Sequence, residues 1–153
     1  MPAVNLDART PALSRHELQR LGETLANALP DAVVFADREG LIRHWNEGAA
    51  RIFGYDAGEA LGRSLDIIIP ERLRQRHWDG YDHMMRTGRS QHDADELLSV
   101  PAVAKDGAKL SIQFTVAPVA DDEGGIVGVV AVLRDVTETF EEMKRLRRAQ
   151  RGE

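Results

Sequence analysis

The sequence predicts an α+β fold, a five-stranded antiparallel sheet with helices on one face and a further helix at each end of the chain. Three observations carry that reading. Short runs rich in Val, Ile and Leu, bounded by turn chemistry, occur twice in the first third of the chain and three times in the last. Between the two groups lies one long helical pattern, entered at Pro70 and left at Gly88. Apolar stripes at helical spacing flank the whole, Leu18, Leu21 and Leu25 before it and Phe140 and Met143 after it.

The composition bounds what such a fold can do. A chain of 153 residues with 42% hydrophobic content suffices for one core and not two. A formal net charge of -5 leaves no global positive field for nucleic acid or an anionic bilayer. The absence of cysteine removes disulfides, thiolate metal sites, covalent haem attachment and thiol-based flavin photochemistry. No apolar run approaches the roughly 20 residues that span a bilayer, and the opening residues lack a basic segment followed by an apolar one. A cytoplasmic domain without membrane or nucleic-acid partners is the expectation.

Residues 1–13, with two prolines and little apolar periodicity, read as a flexible lead-in. Ser14 followed by Glu17 is a capping pair, and the helix it starts runs over 14–29 until Pro30. The core is expected over 30–135. Ala32–Ala36 and Leu41–Trp45, around Asp37-Arg38-Glu39-Gly40, form a hairpin. Residues 46–64 read as short helices broken at Gly54, Gly58 and Gly62, with Asn46 as a helix cap. The helix after Pro70 extends through Arg86. Strands follow over 97–104, 109–119 and 126–134, joined through Lys105-Asp106-Gly107-Ala108 and Asp121-Asp122-Glu123-Gly124-Gly125. A last helix occupies 136–153, its Val136, Phe140 and Met143 spaced as in a coiled-coil seam and its end basic.

On the long helix, Leu73, His77, Tyr81 and Met84 recur at four, four and three and share one face, while Arg72, Arg76, Asp79, His83 and Arg86 read as solvated surface. His77 therefore faces the core, with Gly80 leaving space beside it. A buried neutral imidazole needs a hydrogen-bond partner or a metal. From the pattern alone, a core histidine bonded to a carbonyl and a metal ligand both remain open. His92-Asp93-Ala94-Asp95-Glu96 contains ligand types at no standard metal spacing and reads as a solvated loop. No phosphate loop, nucleophile elbow or zinc-peptidase pair is present, so an enzyme is not expected.

Four motifs occur in an order that resembles the PAS family: Asp31-Ala32-Val33-Val34, Trp45-Asn46-Glu47-Gly48 through Gly54-Tyr55, Lys105-Asp106-Gly107, and Arg134-Asp135-Val136-Thr137. The resemblance covers roughly residues 25–140. It implies a PAS fold and a sensory or dimerising role, with Asp135 and Thr137 at the coupling point between sheet and output helix. Ile69-Pro70-Glu71-Arg72-Leu73-Arg74-Gln75-Arg76-His77 further resembles the haem-bearing branch found in oxygen-sensor kinases of nitrogen fixation and in cyclic-dinucleotide phosphodiesterases. In that branch a histidine on this helix binds the iron. The implied cofactor is haem b, with His77 as metal ligand and Leu73, Tyr81, Met84, Leu97, Leu98, Val100, Ile112 and Val130 around it.

The chain departs from that branch in two places. It is one residue longer beyond His77, and between Ser90 and Ala104 it lacks the branch's distal arginine or methionine, leaving an apolar distal side from Leu97, Leu98 or Val100. Flavin, stacked on Trp45, Trp78, Phe35 or Phe114, ranks behind haem. The expected assembly is a homodimer through the two apolar stripes, with output to a separate kinase or regulator. The alternative is a cofactor-free dimerisation or interaction module, in which side chains would fill the pocket.

Overall fold

The structure, a computed structural model, describes residues 11–89 and 98–152. Its elements are α1 (Arg15–Asn27), β1 (Ala32–Asp37), β2 (Ile42–Trp45), α2 (Glu47–Phe53), α3 (Ala57–Ala60), two 3-10 turns (Leu65–Ile68 and Glu71–Leu73), α4 (Arg74–Thr87), β3 (Leu98–Val103), β4 (Lys109–Ala120), β5 (Ile126–Asp135) and α5 (Thr137–Gln150). The strands form one sheet in the order β2-β1-β5-β4-β3, every neighbour antiparallel. The expected lead-in over 1–10, the 92–96 loop and Leu97 lie outside the described residues.

Alternation along the strands decides which residues meet the helices. Val34, Ala131 and Val116 stand level across β1, β5 and β4 and face inward with Ala36, Val129, Leu133, Ile112 and Phe114. The intervening Phe35, Val130 and Ala117, also level with one another, take the opposite face. Val130 was expected beside the ligand; the register places it on the outer face, and its neighbours Val129 and Ala131 line the interior instead.

Two apolar clusters hold the layers together. Ile42, Trp45, Phe53, Ile68 and Ile112 pack at the end occupied by α2, and Ala36, Tyr81, Met84, Met85 and Val129 fix α4 onto the sheet. The first turn after Pro70 is 3-10 and α4 begins at Arg74, one turn later than the pattern suggested. It ends as expected, with Gly88 at a φ of 69° and its N–H donating to the Met84 carbonyl at 2.8 Å.

Asn46 ties the hairpin to α2. Buried to 5% exposure, its Oδ1 accepts from Val33 N and Ala49 N, both at 2.9 Å, and its Nδ2 donates to the Asp31 carbonyl at 3.0 Å. One amide thus caps a helix and satisfies a strand donor left over at the start of β1. Asn46→Ala is expected to lose about 2–3 kcal/mol, the cap plus a stranded buried N–H. Urea denaturation checks this; a loss under about 0.5 kcal/mol would show that another group takes over the Val33 donor.

Flanking helices sit differently from the core. Ser14 and Glu17 form the expected capping box on α1, and Leu18, Leu21 and Leu25 remain exposed. Along α5, Phe140, Met143 and Leu146 are likewise exposed.

Candidate functional site

Between α4 and the inner face of the sheet lies a cavity of about 520 Å3, within the roughly 300–1,000 Å3 typical of small-molecule sites. Of the 21 described residues that line it, only Arg76, His77, Tyr81 and Ser99 carry polar side chains. The four residues predicted to share a helix face, Leu73, His77, Tyr81 and Met84, all line it, and Gly80 does too. Val100 and Ile112 line it from β3 and β4, where they are partners in register. Leu98 falls in β3 opposite Phe114.

The pose of α4 is set by Trp78 and Tyr81, whose rings both meet that of His77. Trp78 lays its ring over Gly40, where an added Cβ would stand 2.2 Å from the indole, and donates from Nε1 to Asp66 at 2.8 Å. Tyr81 donates its hydroxyl to the main-chain carbonyls at the end of β1, Ala36 at 3.2 Å and Asp37. Burial, and then the nearby carboxylates of Asp37 and Glu39, push the Tyr81 phenol well above its ordinary range, so it stays a neutral donor bound to the sheet.

The His77 ring meets both anchors, its centroid 4.7 Å from Trp78 and 5.9 Å from Tyr81, and the two anchor rings also meet each other at 5.3 Å. Desolvation lowers its pKa, and the Asp66 charge opposes that only in part, so the imidazole is neutral at neutral pH. Its Nδ1 is buried with no hydrogen-bond partner, and Nε2 is not sealed in the same way. A core histidine bonded to a carbonyl, the ordinary account from sequence, is therefore not what the structure contains. A neutral imidazole on a helix beside an apolar cavity fits axial ligation of a haem through Nε2, with the departure that Nδ1 lacks the acceptor that ordinarily holds a metal-bound imidazole. Among the described residues no group of three or more His, Asp or Glu side chains converges.

Flavin fits this interior less well. Of the four aromatics considered for stacking, only Phe114 lines the cavity. Trp45 packs on Phe53 at 5.6 Å, Trp78 covers Gly40, and Phe35 belongs to the outer face.

Two site features escaped the sequence reading. Arg76, assigned to the solvated face, is exposed but also rims the cavity. Its spacing of three from Leu73 was the available signal, since it puts the side chain at the border of the apolar stripe. Val116 and Ala131 follow from Ile112 and Leu133 by steps of two, once the inner face is known.

At the exit, the junction between β5 and α5 is a small hydrogen-bonded knot. Asp135 Oδ1 accepts from the Thr137 N–H at 2.9 Å and from the Thr137 hydroxyl, and that hydroxyl accepts from Ser111 N at 2.9 Å. Val136 N donates to the Ser111 carbonyl at 2.9 Å. Asp135 thus serves the first turn of α5 from just outside it, and Ser111 adjoins the fully buried, cavity-lining Ile112.

A five-stranded antiparallel sheet that encloses a largely apolar cavity with α4 and passes into α5 through a hydrogen-bonded junction is the architecture of a sensory signalling domain. The profile of the PAS fold family matches residues 26–141, and the chain belongs to that family. It is 28% identical over 127 residues to the sensor protein FixL of Bradyrhizobium diazoefficiens, covering 83% of this chain and 25% of that protein. To the oxygen sensor protein DosP of Escherichia coli it is 26% identical over 96 residues, covering 63% of this chain and 12% of that protein. To the cell-division control histidine kinase PdhS of Brucella ovis it is 28% identical over 153 residues, covering 97% of this chain and 14% of that protein. The chain thus spans a quarter or less of the length of these relatives. The PAS domain of a Colwellia psychrerythraea protein superposes with a TM-score of 0.67 at 20% identity, covering 79% of this chain and 98% of that one. An RNA-binding light-oxygen-voltage receptor superposes at 0.70 and 20% identity over 95% of this chain and 41% of that one. Among the described residues no helix is long and apolar enough to cross a membrane.

Proposed function

We propose that this PAS domain is a sensor that holds haem b through His77 and reports binding of a diatomic gas, or a change of redox state, to its flanking helices. The observation that carries the reading is a neutral imidazole lining a largely apolar cavity of about 520 Å3. The names of two relatives, a sensor protein and an oxygen sensor protein, agree with it.

His77 would supply the iron ligand from α4, held by the Trp78 and Tyr81 anchors; Leu73, Met84, Val100 and Ile112 would enclose the macrocycle and exclude water. When bound, haem supplies an iron centre able to take up a gas molecule or an electron. A shift of β4 at Ile112 would reach Ser111 and through it Thr137 and Asp135, loosening or tightening the start of α5. The exposed stripes Leu18/Leu21/Leu25 and Phe140/Met143/Leu146 would be covered by a second copy of the chain, and a kinase or regulator would read the helices.

The test is the visible spectrum of the protein expressed with haem available, beside His77→Ala. A Soret band in the first that is absent in the second is expected. A colourless wild-type protein that also fails to take up added haem would overturn the haem reading and favour a cofactor-free interaction module. Light scattering at micromolar protein is expected to give the dimer mass; a monomer would remove the dimer from the proposal.

A further inference from the structure

The cavity has one end with a formal charge. Among the described residues that line it, Arg76 alone carries a permanent charge. The Tyr81 hydroxyl is committed to the main chain of β1 and unavailable to a ligand. The nearby carboxylates are also engaged, Asp66 with Trp78 and Arg74 and Asp79 with Gln75. Arg76 makes no ion pair or hydrogen bond among the described residues, and its side chain is exposed at the rim.

From this we infer that the ligand is an amphipathic carboxylate, its apolar body in the cavity and its carboxylate paired with Arg76. An apolar chamber alone would take any hydrophobic molecule of suitable size. A single free guanidinium at its rim selects among them: it forms two parallel charge-assisted hydrogen bonds with a carboxylate and offers an alcohol or ester nothing equivalent. Because Arg76 stays in water until the ligand arrives, no buried charge is stranded in the empty domain. Haem, through its propionates, and a fatty acid share this chemistry. The inference rests on the cavity being a ligand site, as proposed above, but not on the ligand being haem.

Titration of the purified domain with hemin, hemin dimethyl ester, dodecanoic acid and dodecanol, followed by tryptophan fluorescence, separates the possibilities. Trp78 is a suitable reporter, since its ring lies against His77. In Arg76→Gln the affinity for each carboxylate that binds is expected to fall about tenfold or more, the worth of one charge-assisted pair. The ester and alcohol should bind wild type and variant alike. Arg72→Gln, which removes an exposed charge outside the cavity, should leave all affinities unchanged.

Loss of hemin affinity in Arg76→Gln alone supports the inference with haem as the source. Failure of hemin with saturable, Arg76-dependent binding of dodecanoate supports the inference and overturns the haem reading. Equal carboxylate affinities in wild type and Arg76→Gln, or equal losses in Arg72→Gln, overturn the inference and leave the haem reading standing. Absence of binding by every probe overturns both.

Discussion

Alanine at Gly128 is expected to cost the domain about 3 kcal/mol or more, a large share of the 5–15 kcal/mol by which such domains are stable. Gly128 lies in β5, level with Asp37 of β1 on one side and Val119 of β4 on the other. A Cβ there would stand 2.2 Å from the Ala36 carbonyl oxygen and 2.5 Å from the edge of the Phe35 ring. The ring can move aside, but the carbonyl belongs to the central β1–β5 ladder and moves only if the strands part. Gly22, on the exposed face of α1 with nothing within 4 Å, is the internal control. There the same substitution removes backbone freedom from the unfolded chain and should stabilise by about 0.5–1 kcal/mol. Urea titrations of the two variants should therefore move the midpoint in opposite directions. A Gly128→Ala variant within about 0.5 kcal/mol of wild type would show that the β1–β5 pair yields more readily than its spacing implies.

Removing the His77 imidazole is expected to abolish haem retention, the largest functional effect of any single substitution considered for this domain. The apolar cavity would remain, but without an iron ligand its walls alone would hold haem too weakly to survive purification, and the Soret band would be lost with it. Imidazole added with haem to His77→Gly should restore that band, because it can occupy the space the side chain leaves beside the Trp78 and Tyr81 rings. A structural role for His77 makes the opposite prediction: the variant would lose stability, and imidazole would restore no Soret band. The buried Nδ1 of His77 has no partner, which costs about 1–3 kcal/mol, so His77→Leu is not expected to unfold the domain.

Much of the fold was legible because the signals were local. Ser14 with Glu17, Asn46 before Glu47, and Gly88 after Thr87 mark helix ends through hydrogen bonds spanning only a few residues, and each does so in the structure. The shared face of Leu73, His77, Tyr81 and Met84 is a property of helical spacing, and those four residues line one cavity as that spacing requires.

Strand alternation is also local, but it leaves two solutions until the sheet is assembled. From the run Ile126 to Asp135 alone, Val130 and Ala131 are equal candidates for the interior; the β1–β5 register chooses Ala131 and sends Val130 outward with Phe35. Arg76 shows the same limit in a helix, where charge marks a residue as solvated and only the packed sheet reveals that its solvated position is the mouth of a cavity. The unpartnered Nδ1 of His77 is the clearest case, since no spacing along a chain can say whether a carbonyl from elsewhere will arrive within bonding distance. The sequence by itself determined the elements, their order, the family and the histidine that faces inward. Only the tertiary structure decided the outward face of β5, the volume left beside His77, and the arginine at its rim, because each depends on contacts between segments far apart in the chain.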